Sequence, residues 1–419
     1  MTDDPLADVW RHEAPHVLAA LLRRYGDLAD CEDAVQEAAE AAAVQWPLRG
    51  VPADPRAWLV RVASRRLIDE YRSAEARGRR EISEGVRRPG DADAAPAVDE
   101  SSSSDADDTL RLLLLCCHPS LSRASQVALS LRAVAGLSVE EIAAVYLVPA
   151  RTMTQRLTRA RATIRKSGAR FTMPAADELP ARVAAVLDAC HLMFTVGYTR
   201  TSGEGLVDVT LADEAIRLTR RVYDALPDHD EAAGALALML LTHARTPART
   251  DDAGDLVPLA EQDRRLWRRD LIDEGVALLE QVLPRGHVGR YQLQAAIAAV
   301  HAEAATYDAT DWPQISILYG TLERVAPSAA VTLNRAVAVA MAQDAAAGLE
   351  VLEPLLADDS MQRYHRLHAV QGHLLELTGD VGAAAESYRL AARLTASLPE
   401  QRYLNGRLLA LAAGGEPGS

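Results

Sequence analysis

The chain has 419 residues, 49% of them hydrophobic and 25% charged, and a net charge of −14. That balance is ordinary for a soluble globular protein with room for two or three cores, and it excludes a disordered or fibrous chain. Two Phe, five Trp and eleven Tyr leave the core to Ala, Leu and Val, a composition that favours helices.

Four cysteines are too few and too scattered for a disulfide framework. The sequence shows no run of about 18 apolar residues and no basic-then-apolar N-terminus, so the expectation is a cytoplasmic protein with no membrane partner. Basic residues are almost all Arg, with Lys166 the single lysine. Residues 56–88 hold ten Arg against five acids, residues 139–170 hold seven bases against two acids, and residues 89–108 hold seven acids and no base. Nucleic-acid affinity follows local phosphate neutralisation, so a negative total does not exclude it.

In chain order, an amphipathic helix is expected from Leu6 to Tyr25, ended by Gly26-Asp27. A second runs from about Asp30 to Gln45 with Ala34, Val35, Ala38 and Ala42 inward. A third starts near Pro55, where proline suits the first turn. It turns Trp58, Leu59, Val62, Leu67 and Ile68 inward and Arg61, Arg65, Arg66 and Arg72 outward. Residues 89–108, rich in Asp, Ala and Ser, read as an acidic flexible linker.

Leu137–Arg165 is the most informative stretch. Ser138 and Glu141 have the spacing of a capping box. Ile142, Ala143 and Tyr146 give a short helix an apolar face, and Pro149 interrupts it. Met153, Leu157, Ala160 and Ile164 then share one face of a second helix. Arg151, Thr154, Gln155, Thr158, Arg159 and Arg161 lie away from it. Two short helices with a basic, hydroxyl-rich outer face make a helix-turn-helix. Residues 174–419 read as an Ala/Leu-rich helical array, clearest at 365–399, where Gly372, Ala384 and Ala391 allow the close packing of tetratricopeptide (TPR) repeats.

Other constellations carry less. Cys116-Cys117-His118 lacks the second ligand pair of a structural zinc site and reads as helix-end packing. Gly203-Glu204-Gly205 lacks the third glycine of a dinucleotide fingerprint. Neither His191 nor the set His365, His368 and His373 has a ligand partner in sequence. Arg245–Leu256 reads as a polar loop, either plain surface or a segment docking on the N-terminal domains. No nucleophile–base pair stands out, so no catalytic residue, metal or cofactor is expected and the chain is not read as an enzyme.

Asp33-Ala34-Val35-Gln36-Glu37, Pro55-Arg56-Ala57-Trp58-Leu59-Val60-Arg61-Val62-Ala63, Leu67-Ile68-Asp69 and Arg72 resemble region 2 of bacterial extracytoplasmic-function (ECF) sigma factors. Thr152 to Arg161 resembles their region 4. Cys116–Pro119, Leu179–Arg182, Phe194–Tyr198, Arg245–Arg249, Asp311–Gln314 and Leu333–Ala338 resemble the subgroup with a C-terminal TPR-like extension. The resemblance implies an all-α protein with four parts: region 2 at 1–88, the acidic linker at 89–108, region 4 at 109–173 and a regulatory TPR-like domain at 174–419.

It also implies a promoter-specificity subunit of RNA polymerase. Asp33, Gln36 and Glu37 would bind the core enzyme. Arg61, Arg65, Arg66 and Arg72 would meet the minus-10 element. Thr154, Gln155, Thr158 and Arg159 would read the minus-35 element, with Arg151, Arg156 and Arg161 on phosphates. The linker would follow the polymerase cleft, and the C-terminal domain would contact the sigma domains. Two departures stand out. Many relatives carry Asn where Arg65 stands, and they place an aromatic near Ala38 and Ala41. The alternative is a TPR-type interaction scaffold whose sigma-like part does not initiate transcription.

Overall fold

The computed structural model describes residues 5–82, 105–146, 148–198, 209–251 and 255–414. Among them the protein is all-α, with eighteen α-helices and one isolated bridge between Thr250 and Leu256. It divides into two compact units, 1–189 and 190–419.

In the first unit, α1 (Pro5–Tyr25), α2 (Leu28–Arg49) and α3 (Pro55–Ile82) pack on one another. Gly26, at φ +80°, ends α1, and the Asp27 carboxylate starts α2 by accepting from Ala29 N at 2.9 Å and Asp30 N at 3.1 Å. Ala34, Val35, Ala38 and Ala42 are buried along α2, as their spacing predicts. Leu59, Ala63 and Leu67 are buried along α3, while Trp58 sits half-buried, edge-on to Trp46 at 5.4 Å.

The linker expected at 89–108 lies outside the described residues as far as 104. Helix α4 (Asp105–Cys116) begins inside that range, a few residues before its apolar run from Leu110. Helices α5 (Arg123–Ala133), α6 (Val139–Val145) and α7 (Ala150–Ser167) follow. Cys116 and Cys117 are fully buried at the end of α4, and burial pushes the Cys117 thiol up to about 12.

By length and composition, helix α8 (Leu179–Tyr198) is long and apolar enough to cross a membrane, although Arg182 and Asp188 interrupt its apolar residues. Val183, Val186, Leu187, Cys190, Met193 and Phe194 recur on a helical period and are buried, the pattern of a core helix in a folded protein. The division between the two units falls inside it, later than the junction near Pro174 that the sequence suggested.

The second unit continues through α9 (Val209–Ala225), α10 (Asp230–His243), α11 (Arg269–Val282), α12 (Arg290–Glu303), α13 (Trp312–Val325), α14 (Ala329–Ala342), α15 (Ala345–Leu356), α16 (His365–Thr378), α17 (Val381–Leu394) and α18 (Leu398–Gly414). Helix α10 is buried almost all round and packs on α9, α11 and, most extensively, α12; from α13 onward each helix packs mainly on its sequence neighbours. Three apolar clusters follow in order along α12 to α18. Small residues set the closest approaches. A Cβ built on Gly372 would lie 2.8 Å from the Tyr388 ring, and Ala384 and Ala391 beside it are fully buried.

Candidate nucleic-acid interface

Helices α6 and α7 form where the capping signals placed them. Ser138 N donates to Glu141 Oε2 at 2.7 Å and Glu141 N donates to Ser138 Oγ at 3.1 Å, the reciprocal pair of a capping box. Tyr146 Oη donates to Ala124 O at 2.9 Å and ties the end of α6 to α5. Pro149 leads into α7, whose Met153, Leu157, Ala160 and Ile164 are buried.

The opposite face of α7 is open. Arg151, Thr154, Gln155, Thr158 and Arg159 are all exposed. The Thr154 and Thr158 hydroxyls donate to the carbonyls of Ala150 and Thr154, which fixes their rotamers and leaves their lone pairs outward. Arg156 differs from the rest of the set. It is half-buried, its guanidinium lies 5.0 Å from the Tyr146 ring centroid, and its Nη1 is buried without a partner. It joins the two helices of the motif by a cation–π contact.

On α3, Arg61, Arg65, Arg66 and Arg72 are exposed, as their spacing predicts. Arg66 Nε lies 3.2 Å from Glu37 Oε2 of α2, with both side chains more than half exposed. Of the three α2 residues singled out in the sequence, Glu37 thus faces α3, while Gln36 accepts from Arg132 Nη2 of α5. Asp33 keeps a side chain 70% exposed and only a 3.6 Å approach to Arg161.

Reading the sequence did not anticipate the ion pairs that hold α7 on α2. Arg161 Nε lies 2.6 Å from Glu32 Oε2, and the Glu32 side chain is only 5% exposed. Burial pushes the Glu32 carboxyl up, and the charges of Arg161 and Arg132 oppose that. Arg165 bonds Asp27 at 2.5 Å and Asp30 at 2.7 Å. Its guanidinium holds the Asp27 carboxyl below the usual carboxylate range. Arg161 therefore sits on the flank of α7 that meets α2, apart from the open face. Arg161 and Arg165 lie one turn apart beside the buried stripe, and Asp27, Asp30 and Glu32 crowd the start of α2. That is the one trace of this contact in the sequence.

Comparison with known proteins gives these two faces a frame. Residues 9–77 match sigma-70 region 2, and residues 111–164 match sigma-70 region 4. A probable ECF RNA polymerase sigma factor, SigI of Mycobacterium tuberculosis, is 32% identical over 209 residues, 50% of this chain and 66% of SigI. The chain belongs among the ECF-like sigma factors. An uncharacterized protein of Rhizobium meliloti (strain 1021) is 39% identical over 414 residues, 99% of this chain and 97% of the relative, so the second unit is part of the shared architecture. Residues 182–283 match a family of unknown function, DUF6596. The α2 and α3 residues discussed above fall inside region 2, and the open face of α7 falls inside region 4.

Proposed function

We propose that this sigma factor joins core RNA polymerase and selects promoters through two readers. Asp33, Gln36 and Glu37 on α2 form the edge that docks the core enzyme. Arg61, Arg65, Arg66 and Arg72 on α3 meet the minus-10 element, where guanidinium groups neutralise phosphates and stack on unpaired bases. Thr154, Gln155, Thr158 and Arg159 read base edges of the minus-35 element, and Arg151 supports them at the phosphate backbone. The observation that carries this reading is the α7 face: five polar side chains stand exposed on one side while the other side is entirely buried. Arg156 acts there by fixing α6 against α7.

The second unit is a TPR-like array that regulates or supports initiation. Its sequential helix packing and its small residues at Gly372, Ala384 and Ala391 support that description. Because Gln36 is engaged by Arg132 and the start of α2 by Arg161 and Arg165, productive docking of the core enzyme requires α7 and α5 to part from α2.

The test is transcription in vitro with core polymerase and the full chain. Specific initiation that fails with Gln155→Ala and with Asp33→Ala, both folded by circular dichroism, supports the reading. A full chain that binds no core enzyme and starts no transcript at any promoter overturns it and leaves an interaction scaffold.

A further inference from the structure

In the second unit most arginines face a carboxylate: Arg217 has Glu214, Arg220 has Glu274, Arg285 has Asp230 and Arg335 has Glu323. Three in the segment after α10 do not. Among the described residues Arg245, Arg249 and Arg264 have no ion-pair partner, yet all three are drawn into the protein. Arg249 is 8% exposed; it donates to Tyr198 O, and its guanidinium lies 3.8 Å from the Tyr198 ring centroid. Arg264 donates through Nη1 to His301 O and Ala304 O. The Arg245 side chain has no acceptor, and its Nε is buried.

Arg245 and Arg264 share one indole. The Arg264 and Arg245 guanidiniums lie 4.7 Å and 5.7 Å from the Trp267 ring centroid. Trp267 is 4% exposed, and its Nε1 has no partner. Arg264 Nη2 and Trp312 Nε1 are likewise buried without partners, and His301 stands edge-on to Trp312 at 5.2 Å. Four of the orphaned atoms here, Arg245 Nε, Arg264 Nη2, Trp267 Nε1 and Trp312 Nε1, can only donate. Buried groups are ordinarily satisfied; here four orphaned donors stand against two unpartnered groups able to accept, His301 Nδ1 and Thr310 Oγ1, an excess of donors that marks a place where an acceptor is missing. The carboxylate that faces Arg249 is Glu400, already shared by His365 at 3.1 Å, Thr395 at 2.6 Å and Arg366 at 3.9 Å.

The electrostatics agree. Burial and the neighbouring charges of Arg245 and Arg366 lower Arg249; burial and Arg245 lower Arg264. Burial, with Arg245 and Arg264 beside it, pushes His301 down to about 4. Positive groups gathered in a desolvated interior oppose one another unless an anion joins them.

We propose that Arg245, Arg249 and Arg264, with the Trp267 and His301 side chains, bind the oxyanion group of a small phosphate- or carboxylate-bearing ligand in the second unit. Planar guanidinium groups suit that geometry because each can give two parallel hydrogen bonds to one oxyanion. Arg245, Arg249, Arg264 and Trp267 lie within the stretch that matches the family of unknown function, and His301 lies beyond its end. It does not depend on the sigma-factor reading, and its test needs neither polymerase nor DNA.

The experiment is thermal unfolding of the full chain at constant ionic strength in chloride, inorganic phosphate or succinate, with phosphorus-31 line widths of phosphate as a direct readout. Phosphate or succinate at about 100-fold above its Kd should raise the melting temperature of the second unit by roughly 5–10 °C over chloride. Arg245→Gln should lose that rise while melting no lower than the wild type in chloride, because the charge it removes has no carboxylate to pair with. Arg245→Lys should keep part of it. A response to phosphate alone identifies a phosphate ligand, and one to succinate alone a carboxylate. No rise with either anion, or an equal rise in Arg245→Gln, overturns the proposal. Should Arg245→Gln fail to fold, phosphorus line broadening by wild type but not by Arg249→Gln or Arg264→Gln decides it in the same way.

Discussion

Replacing Arg161 with Ala tests whether the α2–α7 contact is held chiefly by its buried member. The Glu32 side chain is 5% exposed and that of Arg161 19%, so the pair is largely desolvated. Removing one partner of such a pair costs about 3–5 kcal/mol, because it leaves a buried charge without compensation. Glu32 can relieve part of that by taking up a proton, which puts the expectation near the lower end, about 3 kcal/mol. Arg165 is 54% exposed, and its pairs with Asp27 and Asp30 are worth no more than about 1 kcal/mol.

Hydrogen exchange of the full chain, followed on peptides from α2 and α7, reads both variants. Arg161→Ala should speed exchange there by roughly 100-fold, and Arg165→Ala by under about 5-fold. Glu32→Gln should be milder than Arg161→Ala, since an amide needs no counter-charge. The pH dependence has a definite sign. The carboxyl of Glu32 is raised in the folded protein, so the folded state binds the extra proton and stability falls as pH rises from the ordinary carboxylate range through the raised value. Lowering the pH should therefore restore protection in Arg161→Ala. Equal effects of Arg161→Ala and Arg165→Ala, or unchanged exchange in the former, would refute this reasoning.

Gln155→Ala should cost roughly 5- to 150-fold in discrimination between promoters that differ at one minus-35 base pair, with an unchanged melting temperature because Gln155 is exposed; a uniform loss across promoters, scored by competitive transcription, would show that Gln155 only positions the helix. His301 sits at about 4 in the folded state, below its ordinary 6.5. Its stabilising contribution, on the order of 3 kcal/mol, is complete above pH 6.5 and fades as pH falls toward 4. The melting temperature of the second unit should follow that window in wild type and flatten in His301→Gln. Gly372→Ala would place a Cβ 2.8 Å from the Tyr388 ring, which is 2% exposed and anchored through its hydroxyl to Glu376 at 2.8 Å. A loss of about 1–3 kcal/mol in calorimetry is expected despite the better helix propensity of Ala.

Local signals made much of the first unit legible. The capping box at Ser138 and Glu141 and the buried stripe Met153–Leu157–Ala160–Ile164 depend on spacings of three and four residues, which a sequence displays directly. Contacts between distant segments are of another kind. Arg161 meets Glu32 across 129 residues, and no periodicity in either helix encodes that meeting. Composition misled at Arg245–Leu256. A stretch of Arg, Thr and Asp reads as surface, yet Ala248 and Arg249 are buried and Arg245 half-buried. Arginine predicts solvent because burying a lone charge is costly; where buried arginines collect, the local rule fails for a reason that belongs to the site.

Asp27 serves two helices at once. Its carboxylate caps α2 through Ala29 N and Asp30 N and also receives the Arg165 guanidinium. The capping bonds are internal to α2 and do not need Arg165. When α7 leaves, the first turn of α2 keeps its cap, worth about 1 kcal/mol, and a carboxylate suits the positive end of that helix with or without a partner. The α2–α7 contact can therefore open without melting the first turn of α2.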